Sequence, residues 1–366
     1  MAFIKKSGLI ASFSLISISL QSIAFAETII IGKGSGIIWE GLPFNVALNG
    51  SMNSTALFQS DGLLAISNRA KRSCLSSSNL QNIGGYMAFP IDGISGVGLV
   101  PRAIGSSNYT NFKENKEILS GTIGIPETKG TSTVQSDITS PSGSAWCLPP
   151  QNESTDGFYS KSGSRTAMLS GSWVLVADGS QKPGVGTLPG MYFNSSGFNS
   201  DSKLSVQILP SSISLRVSTL DCKVSTPTVI NFGAAVRSLQ EGKELAVKSV
   251  NLVASCGQTS DLINANINLQ FRALSGLYKN SATRLALNQG GGFITGEISN
   301  GTTGSGNCDA ANGIHFDSTP TKLGAISSNE NEKVFSEQII WRLCSGGDNL
   351  PSGRVTASTE LLVTFN

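Results

Sequence analysis

The sequence predicts an all-β protein built as two β-sandwiches in series, the second short of one strand. Three observations predict it. Gly, Ser, Thr and Asn are abundant while charged residues make up 14% of the chain, a balance that suits short strands and tight turns. Apolar residues alternate with polar ones in many short runs. The last thirteen residues, Arg354 to Asn366, alternate in the same way up to the final residue. There Val355, Ala357, Thr359, Leu361, Val363 and Phe365 share one face; Thr356, Ser358, Glu360 and Thr364 share the other, interrupted by Leu362. A strand that ends a chain in this way leaves its sheet open to a strand from another molecule.

The amino terminus has the three parts of an export signal in order. Lys5-Lys6 is basic, Leu9 to Ile23 is mostly apolar, and Ala24-Phe25-Ala26 is an A-x-A cleavage site, so the mature chain is expected to start at Glu27. No later run approaches the roughly 20 apolar residues of a membrane span. An exported, soluble product is expected.

Of 366 residues, the 26 of the leader leave 340, enough for two domains. The chain carries 26 Lys+Arg and 24 Asp+Glu; loss of Lys5 and Lys6 makes the two counts equal. A net charge near zero argues against nucleic acid or an anionic membrane as partner. The six cysteines, Cys74, Cys147, Cys222, Cys256, Cys308 and Cys344, form no C-x-x-C pair, which weakens zinc and redox readings. In an exported chain they are expected in disulfides. Fifteen connectivities exist. Pairing sequential neighbours keeps each bridge inside one domain and is the arrangement expected.

The domain boundary is expected near Pro210-Ser211-Ser212. Ahead of it, strands are predicted at Gly36–Leu42, Leu63–Asn68, Ile91–Ala103, Ile118–Ile125, Ala167–Ala177 and Lys203–Leu209, a sandwich over residues 27–211. Behind it, strands are predicted at Ile213–Val224, Glu244–Cys256, Leu262–Ala273, Gly292–Ser299, Gly313–Phe316 and Val334–Leu343, followed by the terminal strand. About six are substantial, and an immunoglobulin-like sandwich needs seven. The second sandwich, residues 213–366, is therefore expected to have an open core.

Its motifs at Leu220–Pro227, Ile230–Gly233, Leu252–Cys256 and Gly353–Asn366 resemble those of the pilin domain of chaperone–usher fimbriae. Leu220-Asp221-Cys222-Lys223-Val224-Ser225-Thr226-Pro227 resembles that family's first-strand cysteine and the extended run after it. Ile230-Asn231-Phe232-Gly233, Leu252-Val253-Ala254-Ser255-Cys256 and Gly353-Arg354-Val355-Thr356-Ala357 through Asn366 resemble later elements. Phe365 stands where the family usually has tyrosine. The resemblance implies an immunoglobulin-like fold lacking its seventh strand. A periplasmic chaperone would fill the groove, contacting Leu361, Val363 and Phe365 and anchoring the carboxylate of Asn366. An outer-membrane usher would then exchange it for the extension of the adjacent fimbrial subunit. A whole domain precedes the pilin-like part, so the chain would accept a strand without donating one. That layout resembles a two-domain fimbrial tip adhesin, exported through the periplasm to the tip of a fimbrium on the cell surface.

In the first domain, Gly143-Ser144-Ala145-Trp146-Cys147 resembles an element of N-acetylglucosamine-binding fimbrial lectins, as do Asn108-Tyr109-Thr110 and Thr155-Asp156-Gly157. Carried over by position, the sugar contacts fall on Trp146, Thr155 and Asp156, and the family's Asp-Thr pair falls on Ser106 and Ser107. The family's carboxylate is absent there, and Asp156 replaces an amide. A lectin site needs an aromatic face and a few planar polar groups. Trp146 could supply the face, with Gln151, Asn152, Thr155, Asp156, Ser106 and Tyr109 around it; alternatively Trp146 is a core residue packed on the disulfide.

An enzyme is not expected. The single histidine, His315, has no G-x-S-x-G elbow near it. The first domain has no histidine to ligate a metal, and no cofactor is implied. The expected function is attachment to a host glycan or glycoprotein; the alternatives are a protein-receptor adhesin and a minor subunit that initiates or caps the fibre.

Overall fold

The computed structural model describes residues 28–51, 62–71, 74–111, 114–149, 164–198, 202–260, 262–310, 312–347 and 349–366. The expected leader, residues 1–26, lies outside them. The described chain is all-β. The first half contains β1 (Thr28–Ile31), β2 (Ser35–Ser51), β3 (Leu64–Ser67), β4 (Leu75–Ser76), β5 (Gln81–Ile83), β6 (Tyr86–Ile91), β7 (Ile94–Thr110), β8 (Lys116–Gly124), β9 (Lys129–Ser132), β10 (Ile138–Thr139), β11 (Ser144–Ala145), β12 (Cys147–Leu148), β13 (Ser164–Asp178), β14 (Gly184–Thr187), β15 (Met191–Phe198), β16 (Ser202–Leu209) and β17 (Ser214–Val217). The second contains β18 (Asp221–Ser225), β19 (Glu244–Gly257), β20 (Ala265–Ala273), β21 (Leu285–Ala286), β22 (Gly292–Ile298), β23 (Thr321–Ile326), β24 (Glu332–Ser345) and β25 (Thr359–Phe365).

In the first half, the long strands β2, β13 and β7 centre a sheet of order β10-β9-β8-β7-β13-β2, with β6 also paired to β7. A smaller sheet, β12-β3-β15-β16, completes a sandwich whose core includes Leu64, Ile66, Leu99, Trp173, Val174 and Phe193. Alternation sends odd-numbered residues of β7 inward from Ala103 to Tyr109, and leaves Ile104 and Asn108 outside. Trp173 is fully buried, its indole N–H donating to the carbonyl of Ile208 at 3.2 Å.

In the second half, one sheet has the order β18-β19-β24-β22-β21. The other holds β25-β20-β23 and continues past β25 through β1 to β17 and β14. One sheet thus crosses between the halves. The buried apolar residues still separate. Those from Ile29 to Val217 form one cluster, and those from Leu220 to Phe365 form others.

The three bridges are Cys74–Cys147, Cys222–Cys256 and Cys308–Cys344. Most predicted strands are present, and the differences have local causes. The run Ile213–Val224 is two strands in different sheets. Between them the Ser218 N–H donates to Ile31 O at 2.9 Å and its hydroxyl accepts from the Leu220 N–H at 3.3 Å. Ile213, Leu215 and Val217 pack in the first cluster, so the cores change over at Ser218–Leu220, past Pro210-Ser211-Ser212. Ile91–Ala103 is folded into a hairpin by Asp92-Gly93, with Gly93 at φ +84°. Gly313–Phe316 is not a strand: Ile314 and Phe316 fill the core from a loop, held by N–H bonds to Gly296 O (2.8 Å) and Ala282 O (2.7 Å). The terminal ladder starts at Thr359, five residues later than the alternation suggests.

Candidate strand-binding groove

β25 has a partner on one side. Its register with β20 runs from Thr359↔Ala273 to Phe365↔Ile267. On the other side, among the described residues, it meets β1 at the single pair Ile30↔Phe365. The direction of its backbone groups follows from its ends. Asn366 donates to Asn266 O at 3.3 Å and accepts from the Asn266 N–H at 2.7 Å, and Ser358 O accepts from the Leu274 N–H at 2.9 Å. Successive residues alternate. Even-numbered residues therefore bond to β20, while Thr359, Leu361 and Val363 turn their N–H and C=O groups to the open side.

The opposite wall is Thr226–Val236, which follows β18. Among the described residues it belongs to no ladder and makes no backbone–backbone hydrogen bond. Val229 and Val236 are 81% and 87% exposed. Between the walls lies a cavity of about 1230 Å³. Its floor is core: Phe271, Ile339, Trp341 and Leu343 are buried, with the Trp341 ring 6.1 Å from Phe271 and 6.2 Å from Phe316. Leu361 and Val363 line one side, and half-buried Ile230 and Phe232 the other. An apolar trough between two walls whose facing backbone groups join no ladder among the described residues has the chemistry of an absent strand.

The other face of β25 meets the first domain. Glu360 bonds Arg272 at 3.0 Å and Arg102 at 3.3 Å. Arg102 also pairs with Glu40, whose second oxygen accepts from the Ser172 hydroxyl at 2.5 Å. The Gln270 amide donates to the Glu40 carbonyl at 3.3 Å. The alternation of residues 354–366 gives this face as polar; that it is a contact between domains was not legible, though Glu40 inside an apolar run was a signal.

The expected receptor residues do not come together. Trp146 is 3% exposed, in the first-domain cluster. β11 pairs with β4 on one side of it and β12 with β3 on the other, and the left-handed backbone at Trp146 (φ +52°) turns the ring inward between them. The expectation of an exposed stacking face is corrected to the core alternative. Tyr109 is also buried. Ser106 is half-buried on the opposite face of β7. Gln151, Asn152, Thr155 and Asp156 lie outside the described residues. Around Ser106 the outer face of the large sheet carries Asn45, Asn108, Ser120, Thr122, Thr166 and Ser170 around the exposed Ile104, Ile118 and Met168, and the exposed Lys129–Asp137 pair borders it beside Thr122. His315 lies outside any strand, its Nδ1 3.8 Å from Asp317.

No protein-family model and no curated protein matches the chain. Among solved structures it is similar to a chain of a chaperone–tip adhesin complex of CFA/I fimbriae biogenesis, at 11% identity and a TM-score of 0.27, over 92% of this chain and 94% of that one. It is similar to the CupB6 tip adhesin from Pseudomonas aeruginosa, at 14% identity and a TM-score of 0.28, over 91% and 92%. It is also similar to a point mutant of the CFA/I enterotoxigenic E. coli adhesin CfaE, at 10% identity and a TM-score of 0.22, over 92% and 96%. At that identity and TM-score the likeness carries no functional argument.

Proposed function

We propose that this chain is a non-enzymatic fimbrial tip adhesin. Its second half takes a strand from a partner and its first half meets a host receptor. The observation that carries the reading is the vacancy between β25 and Thr226–Val236. A strand seated there would satisfy the backbone groups of Thr359, Leu361 and Val363, and would place alternate apolar side chains on Trp341 and Phe271. In the periplasm a chaperone would supply that strand; after the usher, the next subunit would. The accepting half has a folded domain ahead of it, which fits the end of a fibre.

The receptor is proposed to be a host glycan or glycoprotein. The mostly uncharged surface around Ser106 suits a neutral ligand, and a shallow sugar site buries little area, so single-site affinity would be modest, to be raised by many fibres per cell. Among the described residues that face carries no exposed aromatic side chain. This favours, as the second reading, a protein receptor bound through Ile104, Ile118 and Met168.

The test is to titrate the intact mature chain with a synthetic peptide of alternating valine and threonine. A raised melting temperature, with new exchange protection at Leu361 and Val363, supports strand acceptance; neither change overturns it. Glycan and host-protein arrays probed with the same chain separate the two receptor readings.

A further inference from the structure

We infer that β1 is a built-in stop that ends the partner's strand at Val363. This rests on the strand-accepting reading above, and adds what limits the length and position of the incoming segment.

The sheet position beside β25 is not empty along its whole length. At Phe365 it is held by Ile30 of this same chain. β1 is fixed there from its other edge by four parallel pairs with β17, from Thr28↔Ser214 to Ile31↔Val217. Its side chains bind it to both cores. Ile29 and Ile31 are buried in the first-domain cluster, while Ile30 packs on the cluster that holds Phe365 and Leu220. The chain then leaves β25 at Gly32. There a Cβ would lie 1.9 Å from Leu220 O and 3.0 Å from the Phe365 ring, so glycine alone fits. The Lys33 N–H seals the turn on Leu220 O at 3.2 Å.

Adjacent strands lie about 4.8 Å apart, so one edge position holds one backbone. A strand entering along Thr359, Leu361 and Val363 therefore meets Ile31, Gly32 and Leu220 where it would next pair with Phe365. It must end or turn away there. The far end has no such block: beyond Thr359 the wall continues through Gly353–Ser358, which also lines the cavity. The partner chemistry follows. It is an extended segment with apolar residues at alternate positions, closed sharply at the Phe365 end and open in length at the other.

The experiment uses the intact mature chain and a ladder of alternating Val/Thr peptides, lengthened two residues at a time at either end. Amide exchange along β25 locates each end. Each added pair within the vacancy should tighten binding about twofold to fivefold. The pair that passes Val363 should add nothing, and the Ile30 amide should keep its protection throughout. Continued tightening past Val363, with loss of protection at Ile30, would show that β1 yields its place and overturn the stop. Binding by no peptide of any length would overturn the strand-accepting reading itself, an outcome distinct from the loss of the stop alone. Because the native chain is used throughout, no variant has to fold.

Discussion

Glu360 reaches Arg102 across the domain boundary at 3.3 Å, on the very strand whose neighbours Leu361 and Val363 line the open groove. Two carboxylates and two guanidiniums, from Glu40, Arg102, Arg272 and Glu360, meet at this point. The side chains of Glu40 and Arg102 are 7% and 9% exposed, whereas Glu360 keeps 33%. The inner pair has therefore lost most of its water and depends on each other; the outer pair is still partly solvated. β25 thus works on both faces, as the rim of the groove and as the contact with the first domain.

Arg102→Ala should be the most damaging single change in that cluster. It leaves the Glu40 carboxylate buried without its cation, which costs about 3 kcal/mol or more. Glu360→Gln removes a partly exposed partner and should cost less than about 1 kcal/mol. Urea unfolding of the intact chain measures both. The double variant Glu40→Gln/Arg102→Met should recover much of the loss, since no charge is then stranded. Equal, small losses for Arg102→Ala and Glu360→Gln would show that Glu40 finds another partner.

Much of the architecture could be read from period-2 alternation, because a half-buried strand imposes that pattern on its residues: β13, β19 and β24 are strands where the alternation put them. The failures share one cause, which is that alternation reports burial of side chains and not pairing of backbones. Ile314 and Phe316 are buried from a loop, so their i, i+2 spacing mimics a strand. Leu215 and Leu220 lie in one apolar run yet pack in different cores, because the chain changes domains at Ser218. Leu362 breaks the polar face of the terminal strand, the face on which Glu360 reaches Arg102 of the first domain. The open groove was legible as a missing strand. The block at Phe365 was not, since nothing near Ile30 in the sequence says which sheet it joins. Trp146 beside Cys147 could not be assigned to core or surface from spacing; its left-handed backbone decides it.

Trp146 itself gives the next prediction. Buried at 3% exposure in the first-domain cluster, it should contribute to stability. Trp146→Ala should cost about 3–5 kcal/mol, as other large-to-small core changes do. Cell adherence by the variant should fall in proportion to its unfolded fraction, followed by near-UV circular dichroism, and should return to normal where it is folded. Lost adherence with unchanged stability would restore Trp146 as a receptor contact.

The turn before β24 carries a pH signature. The Lys333 ammonium, 3.0 Å from Glu330, and the backbone N–H and hydroxyl of Ser327, both at 2.8 Å, hold the Glu330 carboxyl down from 4.5 to about 2. A depressed carboxyl contributes its stability fully above its unfolded value and loses it as pH falls through the folded one. The window is therefore pH 4.5 down to about 2. Carbon-detected NMR titration should place the Glu330 midpoint at the low end of that window. Lys333→Ala should raise it without restoring the ordinary value, because the Ser327 bonds remain. The same turn presents the carbonyls of Ser327 and Glu330 to the buried Gln258 amide, both at 2.9 Å. Exchange protection of the Gln258 side chain should weaken over the same pH range. A Glu330 midpoint near 4.5 in the unaltered chain would remove the Lys333 contact from the solution structure.

The sharpest contrast is between a position inside the groove and one outside it. Leu361 points into the cavity, whereas Ser249 on β19 is exposed and does not line it. In the open chain Leu361→Asp keeps its carboxylate within reach of water and should leave the fold largely intact. Under an incoming strand that carboxylate would be sealed against Trp341 and Phe271, and burying an unpaired charge costs several kcal/mol. Binding of the Val/Thr peptide should then weaken at least about 100-fold. Ser249→Asp adds the same charge at an exposed position of β19 outside the cavity, and should change peptide affinity little. Fluorescence polarisation with a labelled peptide measures both, and circular dichroism of the free variants controls for folding. If the two substitutions weaken binding equally, general charge repulsion is at work and the peptide does not lie in the groove. If only Leu361→Asp does so, the side chain of Leu361 is beneath the strand, as the alternation of β25 requires.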